Sequence, residues 1–377
     1  MPTRTPDRST RKKPKSAEST ESTASADVAS ADAAAADAAD LESIRALGVD
    51  RVNHRTLDAD FDGDVYIWDV DKTYLDTQFD TFKGLMRIPF EAAVDKRAFP
   101  GTAQLLRELR RGPGKQSISA PLYFISGSPP RLRAVLEKKM LLDGVEFDGL
   151  TLKDPVQNMR RGGFRALKAQ LAYKLVGLLL HRREFPEGAR EMLFGDDVES
   201  DAIIYALYAD VVAGRMRGAE LLRILQRHRT EYHLAEWVVS FADRIPAVDS
   251  VQCFFIHLAR AADPERFAAF GPSLIAVHDS LQSTLVLAAL GKISSEGAVR
   301  VAAAMRESGA TDIALLASVL DAYRRKLVGG PALDGLLAKL ADAGHLPAEV
   351  RFAATAVVPT PGRAPSNQPI LPSDERA

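Results

Sequence analysis

Apolar and polar positions divide the chain into two stretches of different rhythm. Between residues 64 and 213, short apolar runs alternate with amphipathic ones: VYIWDV, TAQLLRELRR, PLYFIS, RLRAVLEKKMLL, FDGLTL, the long FRALKAQLAYKLVGLLLHR, REMLFG and DAIIYALYADVVAG. Compact β-branched and aromatic runs separated by helix-period segments predict strand–helix–strand units. The expected class is therefore α/β, with a Rossmann-like parallel sheet covered by helices on both faces. From about residue 215 onward, ELLRILQRHR, AEWVVSFADR, VQCFFIHLARA, LIAVHDSLQSTLVLAAL, GAVRVAAAMRES, DIALLASVLDAYRRKL and LDGLLAKLADA carry helical spacing between glycine, proline and polar breaks. This half predicts an all-α C-terminal domain.

The ends have little to bury. Residues 1–45 are mostly Ser, Thr, Ala, Asp, Lys and Pro, and 359–377 is a second polar, proline-rich end, so both read as disordered tails. The expected organisation is a tail over 1–45, an α/β domain over 46–215, a helical domain over 216–358 and a tail over 359–377.

Composition changes this picture little. The 377 residues are 46% apolar and 26% charged with a formal net charge of −1, so no global electrostatic case exists for a nucleic-acid partner or an anionic membrane. The single cysteine, Cys253, cannot form an internal disulfide, which fits a reducing compartment. The basic N-terminal residues, Arg4 to Lys15, are not followed by an apolar stretch, and 171–180 and 282–290 are too short to cross a bilayer. A cytoplasmic protein without a transmembrane segment is expected.

In open α/β sheets, ligands bind beyond the carboxyl ends of the strands. After VYIW come Asp69 and Asp71; after PLYFI comes Ser126, in SGSPP; after REMLF comes Gly195-Asp196-Asp197-Val198-Glu199-Ser200-Asp201. So many acids on one rim repel one another unless a cation neutralises them, and a hard divalent ion with oxygen ligands, Mg²⁺ above all, suits carboxylates best. One aspartate there can attack phosphorus, and a second carboxyl two residues on can serve as general acid. A hydroxyl and a lysine can stabilise the phosphoryl oxygens.

The order Asp-x-Asp-x-Thr, strand-Ser, lysine, Gly-Asp-x-x-x-x-Asp resembles the haloacid dehalogenase-like (HAD) phosphohydrolase superfamily. Within it, YFISGSPPRL, Leu152-Lys153-Asp154 and the helix-opening Pro100-Gly101 are most similar to the actin-patch phosphatidate phosphatases, with lipins as more distant kin. The resemblance covers roughly residues 64–213. It implies Asp69 as nucleophile, Asp71 as general acid/base, and Ser126 and a lysine as phosphoryl ligands. It also implies Mg²⁺ held by Asp69, Asp196, Asp201 and the backbone oxygen of Asp71, with Thr73 shaping the loop. Lys174, 22 residues before Asp196, is the expected lysine, with Lys168 the alternative; Asp197 is the alternative to Asp196. Three departures bear on substrate: Lys72 within the first motif, Gly127 in place of a serine, and DVESD after Gly195-Asp196.

Taken singly, each residue has an ordinary structural reading. Asp69 and Asp71 suit a surface turn, Ser126 a helix cap, and Lys168 and Lys174 a solvated helix face. Arg160, Arg161 and Arg165 suit an exposed loop as well as an anion guide. RRGPGKQS lacks P-loop spacing, and His257 and His278 read as satisfied core histidines. Residues 74–100 leave room only for a minimal cap, so the site should be open. The expected activity is hydrolysis of a phosphorylated substrate: phosphatidate or another lipid phosphate first, a phosphoprotein or small phosphometabolite second. The rival is a non-catalytic phosphate- or metal-binding scaffold whose helical domain docks a partner.

Overall fold

The structure, a computed structural model, describes Ile44 and residues 48–76, 97–153, 170–348, 350 and 368–376. Seven strands form one sheet: β1 Val49–Asn53, β2 Asp64–Asp69, β3 Leu122–Ser126, β4 Gly149–Lys153, β5 Arg190–Asp196, β6 Val251–His257 and β7 Leu274–Val277. Their spatial order is β1-β4-β3-β2-β5-β6-β7. Only β1 runs antiparallel, against β4; every other neighbour pair is parallel. The chain leaves β2 for β3 on one side and returns to β5 on the other, so β2 lies at the topological switch point, where α/β sheets open a crevice.

The helices are α1 Thr102–Arg111, α2 Arg133–Leu142, α3 Gln170–Glu184, α4 Asp201–Val212, α5 Gly218–Arg227, α6 Tyr232–Asp243, α7 Ser280–Ala289, α8 Ser295–Glu307, α9 Asp312–Arg324, α10 Gly330–Asp342 and the short α11 Ser373–Arg376. Alternation along β2 sends Tyr66 and Trp68 to one face of the sheet and Ile67 and Asp69 to the other. On the first face the aromatic row Trp68–Phe194–Phe255 packs with Leu105 and Leu109 of α1, Leu281 and Leu285 of α7, and Val301 of α8 in one core. On the second face lie α3 and α4. Gly177 of α3 comes so close to β3 that a Cβ there would meet Ile125 Cδ1 at 2.9 Å. Gly101 opens α1 at φ 79°, and a Cβ on it would meet Met305 Cγ of α8 at 2.6 Å, so only glycine fits the turn. The Glu108 carboxylate of α1 accepts two bonds from the Arg300 guanidinium of α8, both 2.6 Å, which locks these helices in register.

The expected all-α domain over 216–358 is not found as such. VQCFFIH is β6 and LIAV is β7, and both extend the same sheet through the β5–β6 pairing. A short apolar run buried on both faces carries no period-2 signal, and LIAV merges in sequence with the helix after it; periodicity alone misreads both. The division at 215 is not kept either, because the sheet crosses it and Gly48–Ala377 forms one compact unit. Met1–Leu47 forms a second unit, described only at Ile44. Residues 1–43 and 359–367 of the expected tails, the cap region over 77–96, and Arg160, Arg161, Arg165 and Lys168 lie outside the described residues.

A segment near the C-terminal end is described, contrary to a tail disordered throughout 359–377. The buried Asp210 carboxylate of α4 accepts the backbone N–H groups of Ile370 and Leu371, each at 2.8 Å, and is held by Arg215 at 2.7 Å. Ile370 and Leu371 are themselves buried. Deleting 368–377 exposes apolar surface and leaves Asp210 short of two donors. We expect a loss of about 3–5 kcal/mol in urea unfolding, from two apolar side chains and two charge-assisted bonds. An unchanged urea midpoint would contradict this docking.

Candidate active site

Three of the predicted site residues close parallel strands: Asp69 ends β2, Ser126 ends β3 and Asp196 ends β5. Since β2 lies between β3 and β5, parallel pairing alone brings the three to one rim. Two helices complete the group. Asp201 is the first residue of α4, and Lys174 lies in the second turn of α3, facing the same end of the sheet. Asp69, Lys174, Asp196 and Asp201 are all fully buried.

The Lys174 ammonium is the hub. Its Nζ lies 2.8 Å from Asp69 Oδ1, 2.5 Å from Asp201 Oδ1 and 2.7 Å from Glu199 Oε2. Asp69, Asp196 and Asp201 each offer a carboxylate oxygen within 4.8 Å of the others'. Asp196 Oδ1 accepts the N–H groups of Val198 at 2.6 Å and Glu199 at 2.9 Å, which forms the turn into α4, while its own N–H donates to Asp201 Oδ2 at 3.2 Å. Asp196 Oδ2 is buried with no hydrogen-bond partner among the described residues.

After Asp69 the chain makes a tight loop. Val70 N–H donates to Ile125 O, and Tyr74 and Leu75 N–H both return to Val70 O. The turn puts Lys72 at φ 61°, a left-handed conformation rarely taken by non-glycine residues, and its Nζ pairs with Asp76 at 2.8 Å. Asp71 is thereby aimed at β3: its Oδ2 accepts from Ser126 Oγ at 2.8 Å and Ser128 Oγ at 3.2 Å. Thr73 Oγ1 lies 3.5 Å from Asp69 Oδ2. The Tyr173 hydroxyl donates to Ser126 O at 2.9 Å and fixes α3 against the end of β3.

The electrostatics follow from burial. Four carboxylates, Asp69, Asp196, Glu199 and Asp201, face one ammonium, leaving an excess of three negative charges if all ionise. Burial pushes Asp69 well above the carboxylate range, against the pull of Lys174, and neighbouring carboxylates add to it. Burial and then Asp201 push Asp196 up to about 8, and burial raises Asp201 too. Burial alone would lower Lys174, but Asp201, Asp69 and Glu199 outweigh it and hold the ammonium well above its ordinary range. Buried acids in such excess, with an unpartnered oxygen on Asp196, fit a cation. The all-oxygen donor set suits a hard one.

The sequence-predicted residues thus divide. Asp69, Lys174, Asp196 and Asp201 come together; Asp71 and Ser126 bond each other beside them; Thr73 borders them. The Asp71 carboxylate lies outside the three-carboxylate cluster. Asp197 turns away: its carboxylate accepts the N–H groups of Arg260 at 2.9 Å and Ala262 at 3.3 Å, and so caps the loop after β6. Three groups escaped the sequence reading. Glu199 is readable in retrospect as the acid three after Asp196, and Ser128 as the second serine of SGSPP. His257 ends β6 with its ring nitrogens 3.0 Å from Lys72 O and 3.2 Å from His278 O, so it ties the catalytic-type loop to β7. It is half-buried rather than a core histidine, and the helical spacing of VQCFFIH hides its place at a strand end.

Residues 65–220 match the family described as phosphatidate phosphatase APP1, catalytic domain, which bears out the resemblance carried by the motifs. The match spans β2 into α5, under half of the chain, and leaves β1, β6, β7 and the later helices outside it. No curated protein and no solved structure matches the chain. Among the described residues no helix is long and apolar enough to cross a membrane.

Proposed function

We propose, from the likeness of residues 65–220 to a phosphatidate phosphatase catalytic domain, that the chain is a Mg²⁺-dependent phosphomonoesterase acting through an aspartyl phosphate, with phosphatidate the leading substrate. The observation that carries this reading is the Asp69 carboxylate at the switch-point strand, paired with Lys174 at 2.8 Å and grouped with Asp196 and Asp201.

In the first half-reaction an Asp69 oxygen attacks phosphorus and the P–O bond to the alcohol breaks. The departing alkoxide takes the proton of the Asp71 carboxyl. In the second, water gives a proton to the Asp71 carboxylate and its oxygen attacks the phosphorus of the acyl phosphate. The P–O bond to Asp69 breaks, releasing inorganic phosphate and restoring both carboxyl groups. Ser126 and Ser128 hold Asp71 in place between the two transfers; the Lys174 ammonium beside Asp69, and the Ser126 hydroxyl when it releases Asp71, would donate to the phosphoryl oxygens. Asp69, Asp196 and Asp201 would hold Mg²⁺, which would supply positive charge against carboxylate–phosphate repulsion.

The test is phosphate release from phosphatidate, phosphopeptides and sugar phosphates, with Mg²⁺ and with EDTA. Metal-dependent release led by phosphatidate is expected. Preference for a phosphopeptide or sugar phosphate would keep the chemistry and replace the substrate, whereas no release from any, by folded protein, would favour the scaffold reading.

A further inference from the structure

Lys72, between Asp71 and Thr73, takes a left-handed backbone at φ 61°. A lysine in that conformation is strained and stays there only when its surroundings hold it. Its N–H donates to Leu75 O at 2.8 Å, which closes the loop on itself. Its carbonyl is held from outside the loop, by the His257 ring at the end of β6, whose Nδ1 lies 3.0 Å away. A carbonyl oxygen only accepts, so Nδ1 carries the proton of this bond.

His257 also reaches the second turn of the reaction centre. Its backbone oxygen accepts the Asp197 N–H at 3.0 Å, directly after Asp196. The other ring nitrogen lies 3.2 Å from His278 O, just past β7, and the ring meets Phe99 edge-on at 4.4 Å and 75°. Phe99 in turn donates its N–H to Tyr74 O at 3.1 Å. One imidazole thus fastens the loop over 70–75 to β6, β7 and the entry to α1.

The two aspartates of the motif depend on this fastening unequally. Asp69 is the last residue of β2 and pairs with Ile125, so the sheet itself holds it. Asp71 lies beyond the β2–β3 ladder and immediately before the strained Lys72, so its direction follows the loop. We propose that His257 is a positioning residue for Asp71: by holding Lys72 O it fixes the carboxyl that gives its proton to the leaving alcohol. β6 lies outside residues 65–220, so the contact comes from the part of the chain that the family likeness does not cover. The proposal rests on the phosphomonoesterase reading and adds a residue to its proton transfer.

His257→Phe keeps a ring against Phe99 and removes both donors. Because kcat/KM covers the steps through release of the alcohol, it separates a leaving group that needs a proton from 4-nitrophenolate, which does not. We expect kcat/KM to fall about 10–100-fold on glycerol phosphate and on a short-chain phosphatidate. On 4-nitrophenyl phosphate it should change less than about twofold. His257→Asn returns an N–H near the place of Nδ1 and should recover most of the loss. An equal fall on all three substrates, no fall, or a fall that asparagine leaves uncorrected overturns the proposal and makes His257 a packing residue. Amide exchange reads the same loop without turnover. In His257→Phe the N–H groups over 70–75 should exchange about tenfold faster, with those of β2 and β3 unchanged. Unchanged exchange in the loop overturns the proposal by itself. No phosphate release by the wild type from any of the three substrates would instead sink the phosphatase reading, and the exchange result would still decide what His257 holds.

Discussion

Asp69→Asn is expected to lower phosphate release by at least about 10³-fold while leaving the fold intact. The amide is isosteric but cannot attack phosphorus, and Lys174 keeps Asp201 at 2.5 Å and Glu199 at 2.7 Å as partners. The stability effect has the opposite sign. Asp69 is one of three buried carboxylates that, with the partly exposed Glu199, surround one ammonium, and burial holds its carboxyl well above the ordinary range, so its ionised form weakens the metal-free fold. A group with a raised folded-state pKa holds its proton after the unfolded chain has released it near pH ~4. Stability therefore falls as pH rises from there, for Asp196 until about 8. Metal-free Asp69→Asn should melt at or above the wild-type temperature at pH 7.5, and its melting point should decline less with rising pH. Mg²⁺ should raise the wild type more than the variant, since binding to the folded state alone stabilises it. A variant that melts far below wild type would mean that the carboxylate is structural. Opposite signs for activity and stability identify a site where function is kept at the expense of the fold.

Gly195→Ala should be the second most damaging change, although it alters no reacting group. A Cβ at 195 would lie 2.4 Å from Asp201 Oδ2 and 2.7 Å from Asp201 Cβ. Both are too close to exist, and β5 is fixed on both sides by β2 and β6, so Asp201 must move. That shifts a carboxylate out of the Asp69–Asp196–Asp201 group and away from Lys174. We expect Mg²⁺ affinity and activity to fall about 10–100-fold, partly recoverable at high Mg²⁺. Gly177→Ala supplies the control. It crowds Ile125 at 2.9 Å on the same face of the sheet but touches no carboxylate. It should lower stability by about 1–3 kcal/mol with Mg²⁺ affinity unchanged. Equal loss of Mg²⁺ affinity in both variants would show general loosening rather than displacement of Asp201.

The positions most legible in the sequence are those where one strand end carries one chemical signal. Asp69, Ser126 and Asp196 follow apolar runs with strand character, so their meeting on one rim required only parallel pairing. Lys174 needed the facing of a helix, which spacing alone left open against Lys168. What was not legible came from burial. β6 and β7 are buried on both faces and show no alternation, so VQCFFIH and LIAV read as helix, and with them went the rim position of His257. Asp197 and Asp196 are neighbours of one type, and only the hydrogen bonds to Arg260 and Ala262 separate a loop cap from a cluster member.

The central claim is that Asp69 carries the phosphoryl group, and it is tested most directly by acid-quenching the Asp71→Asn variant during turnover of 4-nitrophenyl phosphate with Mg²⁺ and weighing its peptides. The nitrophenolate leaves without a general acid, so the first half-reaction proceeds, whereas without the Asp71 carboxylate to take the proton of water the second slows and the acyl phosphate accumulates. The account predicts the mass of one phosphoryl group on the peptide containing Asp69, lost on treatment with hydroxylamine. Continued turnover with no phosphorylated peptide, or the added mass on a peptide lacking Asp69, would contradict it.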